Sequence, residues 1–199
     1  LWEAYMEKLI CPDYRLTLQQ KRRIQNSLKY VLLSGIEHSD DRVREEMLTI
    51  FYRWFDGSHE LDEDARFALL DAVFSMPAEL CARSGRLDCL AEFAVDNMDH
   101  EDDRVRVAAV RALKVLTSVV TRENACYERV RKAVTEMDTG SITMVFLQYR
   151  ILTNLRLDTE SQRGILYGSD VVSDIFLENL KSVTPWILKA INIKLLADQ

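Results

Sequence analysis

The sequence predicts an all-α fold in which antiparallel helix pairs stack into an α–α superhelix. Glycine and proline, the residues that most often end helices and form turns, are scarce, at 6 and 3 of 199 residues. Apolar residues recur with the spacing of one helix face, and a short motif that opens a helix occurs twice. Because 48% of the residues are apolar, we expect residues 1–199 to share one core and form a single domain. The chain opens with what reads as the middle of an amphipathic helix, and we therefore expect a fragment of a longer protein.

The repeated motif lies at residues 38–44 and 100–106, and the two copies are identical at six of seven positions. After each copy, apolar side chains follow at i, i+4, i+7, i+8 and i+11, which is one stripe of an α-helix. The two stripes are Val43, Met47, Ile50, Phe51 and Trp54, and Val105, Ala109, Ala112, Leu113 and Leu116. Asp40 and Asp102 stand where a short carboxylate accepts bonds from the free N–H groups at a helix start. Each motif therefore predicts a capped helix with one buried face.

Each motif also follows an amphipathic segment. The apolar positions of these segments are Ile24, Leu28, Val31, Leu32 and Ile36 before the first motif, and Leu87, Leu90, Ala91, Ala94 and Met98 before the second. The predicted unit is a helix, an acidic turn and a second helix. Such a pair cannot cover its own apolar face, and stacking of neighbouring pairs is the usual solution.

Residues 102–116, DDRVRVAAVRALKVL, resemble the second helix of a HEAT repeat of the HEAT/armadillo class. The resemblance implies that the turn aspartate and the helix arginine bond within or between repeats, while valine and alanine pack inward. The matching positions are Asp102 or Asp103, Val105, Arg106, Ala109 and Leu113. The first copy departs from this pattern, because Glu45, Glu46 and Met47 stand where small residues are common. The architecture that the resemblance implies is a HEAT-like solenoid.

Further helices are predicted over residues 62–76, 78–82, 123–137, 142–157, 171–180 and 186–197. Pro77 and the pair Ser84-Gly85 delimit the short second segment. Thr159 and Gln162 have the spacing of a capping box, and Thr184-Pro185 reads as a cap followed by proline at the first helical position. The repeat register between residues 57 and 100 stays open.

The net charge and the cysteine positions limit the possible function classes. A formal net charge of −6 and a pI of about 5.2 argue against a chain-wide attraction to nucleic acid or anionic membrane. No apolar run reaches the ~18 residues of a membrane span, and no signal-peptide pattern opens the chain. The four cysteines, Cys11, Cys81, Cys89 and Cys126, form no Cys-x-x-Cys pair. We expect free thiols in a reducing compartment, and hence an intracellular protein of the nucleus or cytoplasm.

The sequence does not favour catalysis. His38 and His100 occupy equivalent positions of the repeat, which indicates a turn-forming role, and His59 lies in a loop after Gly57. The chain contains no phosphate-binding glycine loop, nucleophile elbow or His-Glu-x-x-His motif. We therefore expect a non-enzymatic protein with no metal, cofactor or small-molecule substrate.

Two function classes remain. The first is a scaffold subunit of a larger complex, whose helical surface binds a peptide segment or helix of another protein. The alternative is a chromosome- or nucleic-acid-associated HEAT-repeat subunit, using the clusters Lys21-Arg22-Arg23 and Arg129-x-Arg131-Lys132 on phosphate. For the first class, the resemblance implies that the second helices line the concave side of the stack. The polar positions there that suit an acidic segment are Arg53, Arg111, Lys114 and Gln148.

Overall fold

The computed structural model describes residues 2–12, 15–57, 59–83, 85–138 and 141–155. All regular secondary structure within these ranges is helical, which confirms the all-α prediction. The helices are α1 (Trp2–Ile10), α2 (Leu18–Asn26), α3 (Leu28–Ile36), α4 (Asp41–Tyr52), a 3-10 turn (Arg53–Phe55), α5 (Glu63–Ser75), α6 (Ala78–Arg83), α7 (Leu87–Asp96), α8 (Asp103–Leu116), α9 (Tyr127–Glu136) and α10 (Ile142–Asn154). None of them is long and apolar enough to cross a membrane. The helices predicted at 171–180 and 186–197, and the predicted caps at Thr159 and Thr184, lie outside the described residues.

Both motif helices begin where the repeat predicts. Asp40 and Asp102 are the N-caps of α4 and α8, and the Oδ1 atom of each accepts a bond from the backbone N–H two residues on, at 2.9 and 2.7 Å. In both turns the backbone N–H of the capping aspartate donates to the Nδ1 atom of the preceding histidine, His38 or His100, at 3.1 Å. The two histidines therefore hold the turns in the same way, as the repeat indicates.

The predicted apolar stripes form the interior of the fold. All five stripe residues of α8 are fully buried. Of the first stripe, which runs from α4 into the 3-10 turn, four of five residues are buried and Val43 is half-buried. Gly35 allows α3 to approach α4 closely, because a Cβ atom at this position would lie 3.0 Å from two side-chain atoms of Met47. The buried side chains from α1 to α10 form one continuous hydrophobic cluster.

Four boundaries differ from the predictions. Helix α10 ends at Asn154 rather than at residue 157. The segment before the first motif is two helices, α2 and α3, which meet at Ser27, whose hydroxyl donates to the Ile24 carbonyl at 2.6 Å. Helix α2 opens with a capping box of Thr17 and Gln20 that the sequence analysis missed. Helix α9 begins at Tyr127 rather than near residue 123. The helices predicted at 62–76 and 78–82 correspond to α5 and α6.

The helices pack in a continuous series. Helix α3 packs against α4 and α5, and the contact between α5 and α8 is the most extensive one between the described helices. Helix α8 also packs against α7 and α10, and α9 packs against both of these. Helices α3, α5, α8 and α10 thus follow one another as neighbours. The two motif helices α4 and α8 are separated by α3 and α5, although the sequence repeat makes them equivalent.

Candidate protein-binding surface

The half-buried side of α5 carries two phenylalanines that arginines of α8 cover. Phe67 and Phe74 are seven residues apart, so they lie on one side of α5. The guanidinium carbon of Arg111 lies 4.0 Å from the ring centroid of Phe74, and that of Arg104 lies 5.9 Å from the centroid of Phe67. We call these four residues the α5–α8 surface. A guanidinium plane stacked on an aromatic ring gains cation–π attraction and buries the ring face while remaining open to other partners at its N–H edge.

Arg104 is fully engaged by carboxylates. It donates to Asp64 Oδ1 through Nη1 at 2.9 Å and to Asp102 Oδ2 through Nη2 at 2.6 Å. Asp64 also accepts from Arg22 Nε at 3.1 Å, so one carboxylate joins α2, α5 and α8. The hydrogen bond from the Arg104 side chain lowers the pKa of Asp102 to about 2, and the same bond raises the pKa of Arg104. These charges therefore stabilise the packing of α2, α5 and α8 and are not open to a partner.

Two of the predicted partner-binding residues lie together on α8. Arg111 and Lys114 are one turn apart and half-buried. Neither side chain pairs with a carboxylate among the described residues, in contrast to Arg104. This part of α8 consequently carries two positive charges without counter-charges from the described chain.

The structure separates Arg53 from this pair. Arg53 lies in the 3-10 turn after α4, with a side chain that is 55% exposed and donates to Glu3 Oε1 at 2.7 Å. Because α4 and α8 are not neighbours, the structure does not bring Arg53 into one groove with Arg111 and Lys114.

Gln148 does not belong to an accessible surface, and we correct its assignment. The residue is 3% exposed, and its Nε2 atom donates to the Val134 carbonyl oxygen of α9 at 2.8 Å. The amide was predicted to face a partner because it is one of few polar groups on α10. In the fold it supplies a buried donor to a carbonyl near the end of α9, where intrahelical donors run out. Asn154 has a comparable role, since its Nδ2 atom donates to the Lys114 carbonyl at 2.9 Å.

The basic clusters of the alternative function are partly neutralised. Three of their six cations form ion pairs, namely Arg22 with Asp64, Arg129 with Asp96, and Arg131 with Glu128. Lys21, Arg23 and Lys132 pair with no carboxylate in the described part of the chain. Half of the predicted phosphate contacts would therefore have to break an existing ion pair.

The buried thiols and the acidic side chains do not form a reactive or metal-binding cluster among the described residues. Burial raises the pKa of Cys81 to about 11 and that of Cys126 to about 12, so these thiols carry little of the thiolate form that reacts as a nucleophile. The described residues contain no group of three or more His, Cys, Asp or Glu side chains that could hold a metal ion. Trp54 is 8% exposed and lies in the core, as its place in the apolar stripe predicts.

The aromatic half of the α5–α8 surface was not predicted. The sequence pattern predicted a helix over residues 62–76 but did not single out Phe67 and Phe74. The available signal was the spacing itself, because a helix with two apolar sides presents one of them to a second neighbour or to a partner. Comparison of the chain with protein-family models, curated proteins and solved structures finds no match, and the HEAT resemblance remains a prediction.

Proposed function

We propose that this chain is a protein-binding scaffold, part of a HEAT-type superhelix, and that it binds an acidic segment of a partner protein through Arg111 and Lys114. The segment would lie along α8 and place carboxylates on the two cations. Its apolar side chains would contact the edges of the phenylalanines of α5.

The proposal rests on the surroundings of Arg111, which is stacked on an aromatic ring but forms no ion pair with a described residue. Stacking on Phe74 at 4.0 Å restricts the guanidinium without using its charge, and no described carboxylate pairs with it. A cation that is already ordered loses less side-chain entropy when a partner binds, and its planar N–H edge matches a carboxylate. Arginine beside an aromatic ring is also a common composition of energetically dominant interface positions. Lys114, one turn away, adds a second charge of the same sign.

The ion pairs that arginines of the two basic clusters form with carboxylates favour this function over phosphate binding. An ion-paired arginine must lose its carboxylate before it contacts a phosphate, which reduces the net gain. Arg111 and Lys114 have no such competitor among the described residues, in contrast to Arg104 and Arg106 on the same helix. The overall charge of −6 further opposes a polyanion at long range.

The test is affinity capture from cell extract with the wild-type chain and two matched double variants. Arg111→Glu/Lys114→Glu reverses the proposed site, and Lys21→Glu/Arg23→Glu makes the same change in net charge at the alternative one. We expect the first variant to lose a specific protein partner and to weaken its binding at least tenfold, or about 1.4 kcal/mol. The second variant should retain that partner.

The controls separate binding from folding and from nucleic-acid affinity. Arg111→Met keeps an apolar contact with Phe74 but removes the charge, so it should lose the partner while unfolding at nearly the wild-type temperature. A mobility shift with duplex DNA or RNA that depends on Lys21 and Arg23 and weakens steeply with salt would favour the alternative function. Unchanged protein capture by the α8 variant would refute the proposed one.

A further inference from the structure

A groove lies at the end of the helix stack where α7 and α9 end and α8 and α10 begin. Its volume is about 600 Å³, which is in the range of pockets that hold small ligands or clusters of side chains. It is distinct from the α5–α8 surface, because neither Arg111 nor Lys114 lines it.

The floor of the groove is apolar and adaptable. It is formed by Met98, Val107, Val110, Met137 and Met144. Val110 and Met98 belong to the buried core, whereas Val107 and Met144 are half-buried. Methionine is unbranched and polarisable, so a floor with three methionines can adjust to apolar side chains of different shape.

The rim of the groove is acidic. Asp99, Asp103 and Asp138 line it and are exposed, and Arg106 is the one cation among the described residues that line the groove. Arg106 is held by the fold, because it pairs with Asp103 and donates to the carbonyl oxygens of residues 100 and 101. Asp99 and Asp138 have no ion-pair partner among the described residues. Two negative charges thus flank the methionines without compensation.

We infer that this groove binds a basic segment of another protein, with lysine or arginine residues on either side of apolar anchors. The anchors would contact the methionine floor, and the flanking cations would pair with Asp99 and Asp138. Complementary charge at the rim guides association and orients the segment, while the apolar floor supplies the buried contact area. The inference shares with the proposed function the premise that the chain binds protein segments, and it adds a second site with the opposite charge preference.

The experiment is selection of a random-peptide display library on the wild-type chain, with counter-selection on Asp99→Asn/Asp138→Asn. Both aspartates are exposed and unpaired, so the substitutions leave the fold intact. We expect the enriched peptides to carry Lys or Arg beside Leu, Ile, Phe or Met. Fluorescence anisotropy of the labelled consensus peptide should then show at least about tenfold weaker binding to this variant, and less dependence on salt.

Two further variants make the result specific. Met144→Gln keeps the shape of a half-buried floor residue but removes its apolar end, and it should weaken the same peptide several-fold, roughly the effect of one lost apolar contact. Arg111→Met/Lys114→Met lies outside the groove and should leave the peptide affinity unchanged. Far-UV circular dichroism of each variant checks that the helices are retained.

The inference is overturned by an acidic consensus, by enrichment that survives counter-selection, or by a peptide whose affinity both groove variants leave unchanged. It is also overturned if sedimentation shows self-association of the chain that Asp99→Asn/Asp138→Asn abolishes, because the occupant is then a second copy. The proposed function is tested by a separate result. If the groove binds no basic peptide but partner capture still depends on Arg111, only the second site is refuted.

Discussion

Removal of the Asp64 charge tests whether one carboxylate joins α2, α5 and α8. The side chain of Asp64 is 14% exposed and accepts from Arg104 at 2.9 Å and from Arg22 at 3.1 Å. Asp64→Asn keeps the shape of the side chain but removes its charge. Two arginines then face a neutral amide, and the first turn of α5 loses a favourable interaction with the helix dipole.

The expected loss of unfolding free energy is about 1.5 to 2 kcal/mol. A hydrogen bond to a charged group contributes about 1.5 to 3 kcal/mol when buried, whereas exposed pairs contribute about 0.2 to 1 kcal/mol. The arginine side chains are 38% and 44% exposed, so solvent screening places both pairs toward the lower values. We assign about 1 kcal/mol to the Arg104 pair, about half of that to the Arg22 pair, and the remainder to the dipole.

Urea unfolding followed by circular dichroism measures the loss, and Asp71→Asn is the matched control. Asp71 has the same 14% exposure and lies on the same helix, but it pairs with one cation, Lys29, at 2.8 Å. We expect Asp71→Asn to lose about half as much unfolding free energy as Asp64→Asn. The slope of unfolding free energy against urea concentration should be unchanged in both variants. A double-mutant cycle with Arg104→Met should give a coupling of about 1 kcal/mol. A loss no larger than that of Asp71→Asn, together with zero coupling, would refute the bridging role.

Three further predictions concern the turns and the thiols. Asp102→Ala should cost about 2 kcal/mol and Asp40→Ala about 1 kcal/mol in unfolding free energy, because both lose a helix cap but only Asp102 also loses a bond to Arg104. The pKa of Asp102 is about 2 in the fold, below the ~3.9 of an unfolded aspartate, so its charge stabilises the fold above about pH 4. As the pH falls from 4 toward 2, the unfolding free energy of the wild-type chain should decrease by roughly 1 to 2 kcal/mol more than that of Asp102→Asn, which lacks this charge at every pH. Urea unfolding midpoints measured across this pH range give the difference. Alkylation at pH 8 with mass-spectrometric mapping should label the exposed Cys11 first, whereas the buried Cys81 and Cys126 should react only on unfolding.

The all-helical class and both motif helices followed from the sequence because their determinants are local. The aspartate caps, the histidines before them and the apolar stripes all act within one turn or one helix face. The break at Ser27 could not be read from the same signals. Apolar residues continue across it with helical spacing, and α2 and α3 each pack against α5 on either side of the break.

The candidate site was only partly predictable, because exposure depends on the neighbours of a helix. Arg111 and Lys114 are polar positions off the apolar stripe, and the structure leaves them half-exposed. Gln148 satisfies the same rule in sequence, yet the end of α9 covers it and takes its amide as a donor. Contacts between helices decide whether a polar side chain is exposed to a partner or bonds a buried carbonyl. The spacing of residues along one helix carries no information about these contacts.

Arg42 and Arg104 occupy equivalent places in the repeat, but their surroundings differ. Arg104 donates to Asp64 and Asp102, whereas the exposed Arg42 side chain pairs with no carboxylate in the described part of the chain. The residue 62 positions before Asp64 is Trp2, so the first copy lacks the acceptor that α5 supplies to the second. Arg104→Ala should therefore cost about 2 kcal/mol, and Arg42→Ala less than about 0.5 kcal/mol, in urea unfolding. Equal costs would mean that the motif helix itself stabilises the stack, and that its contact with α5 contributes nothing.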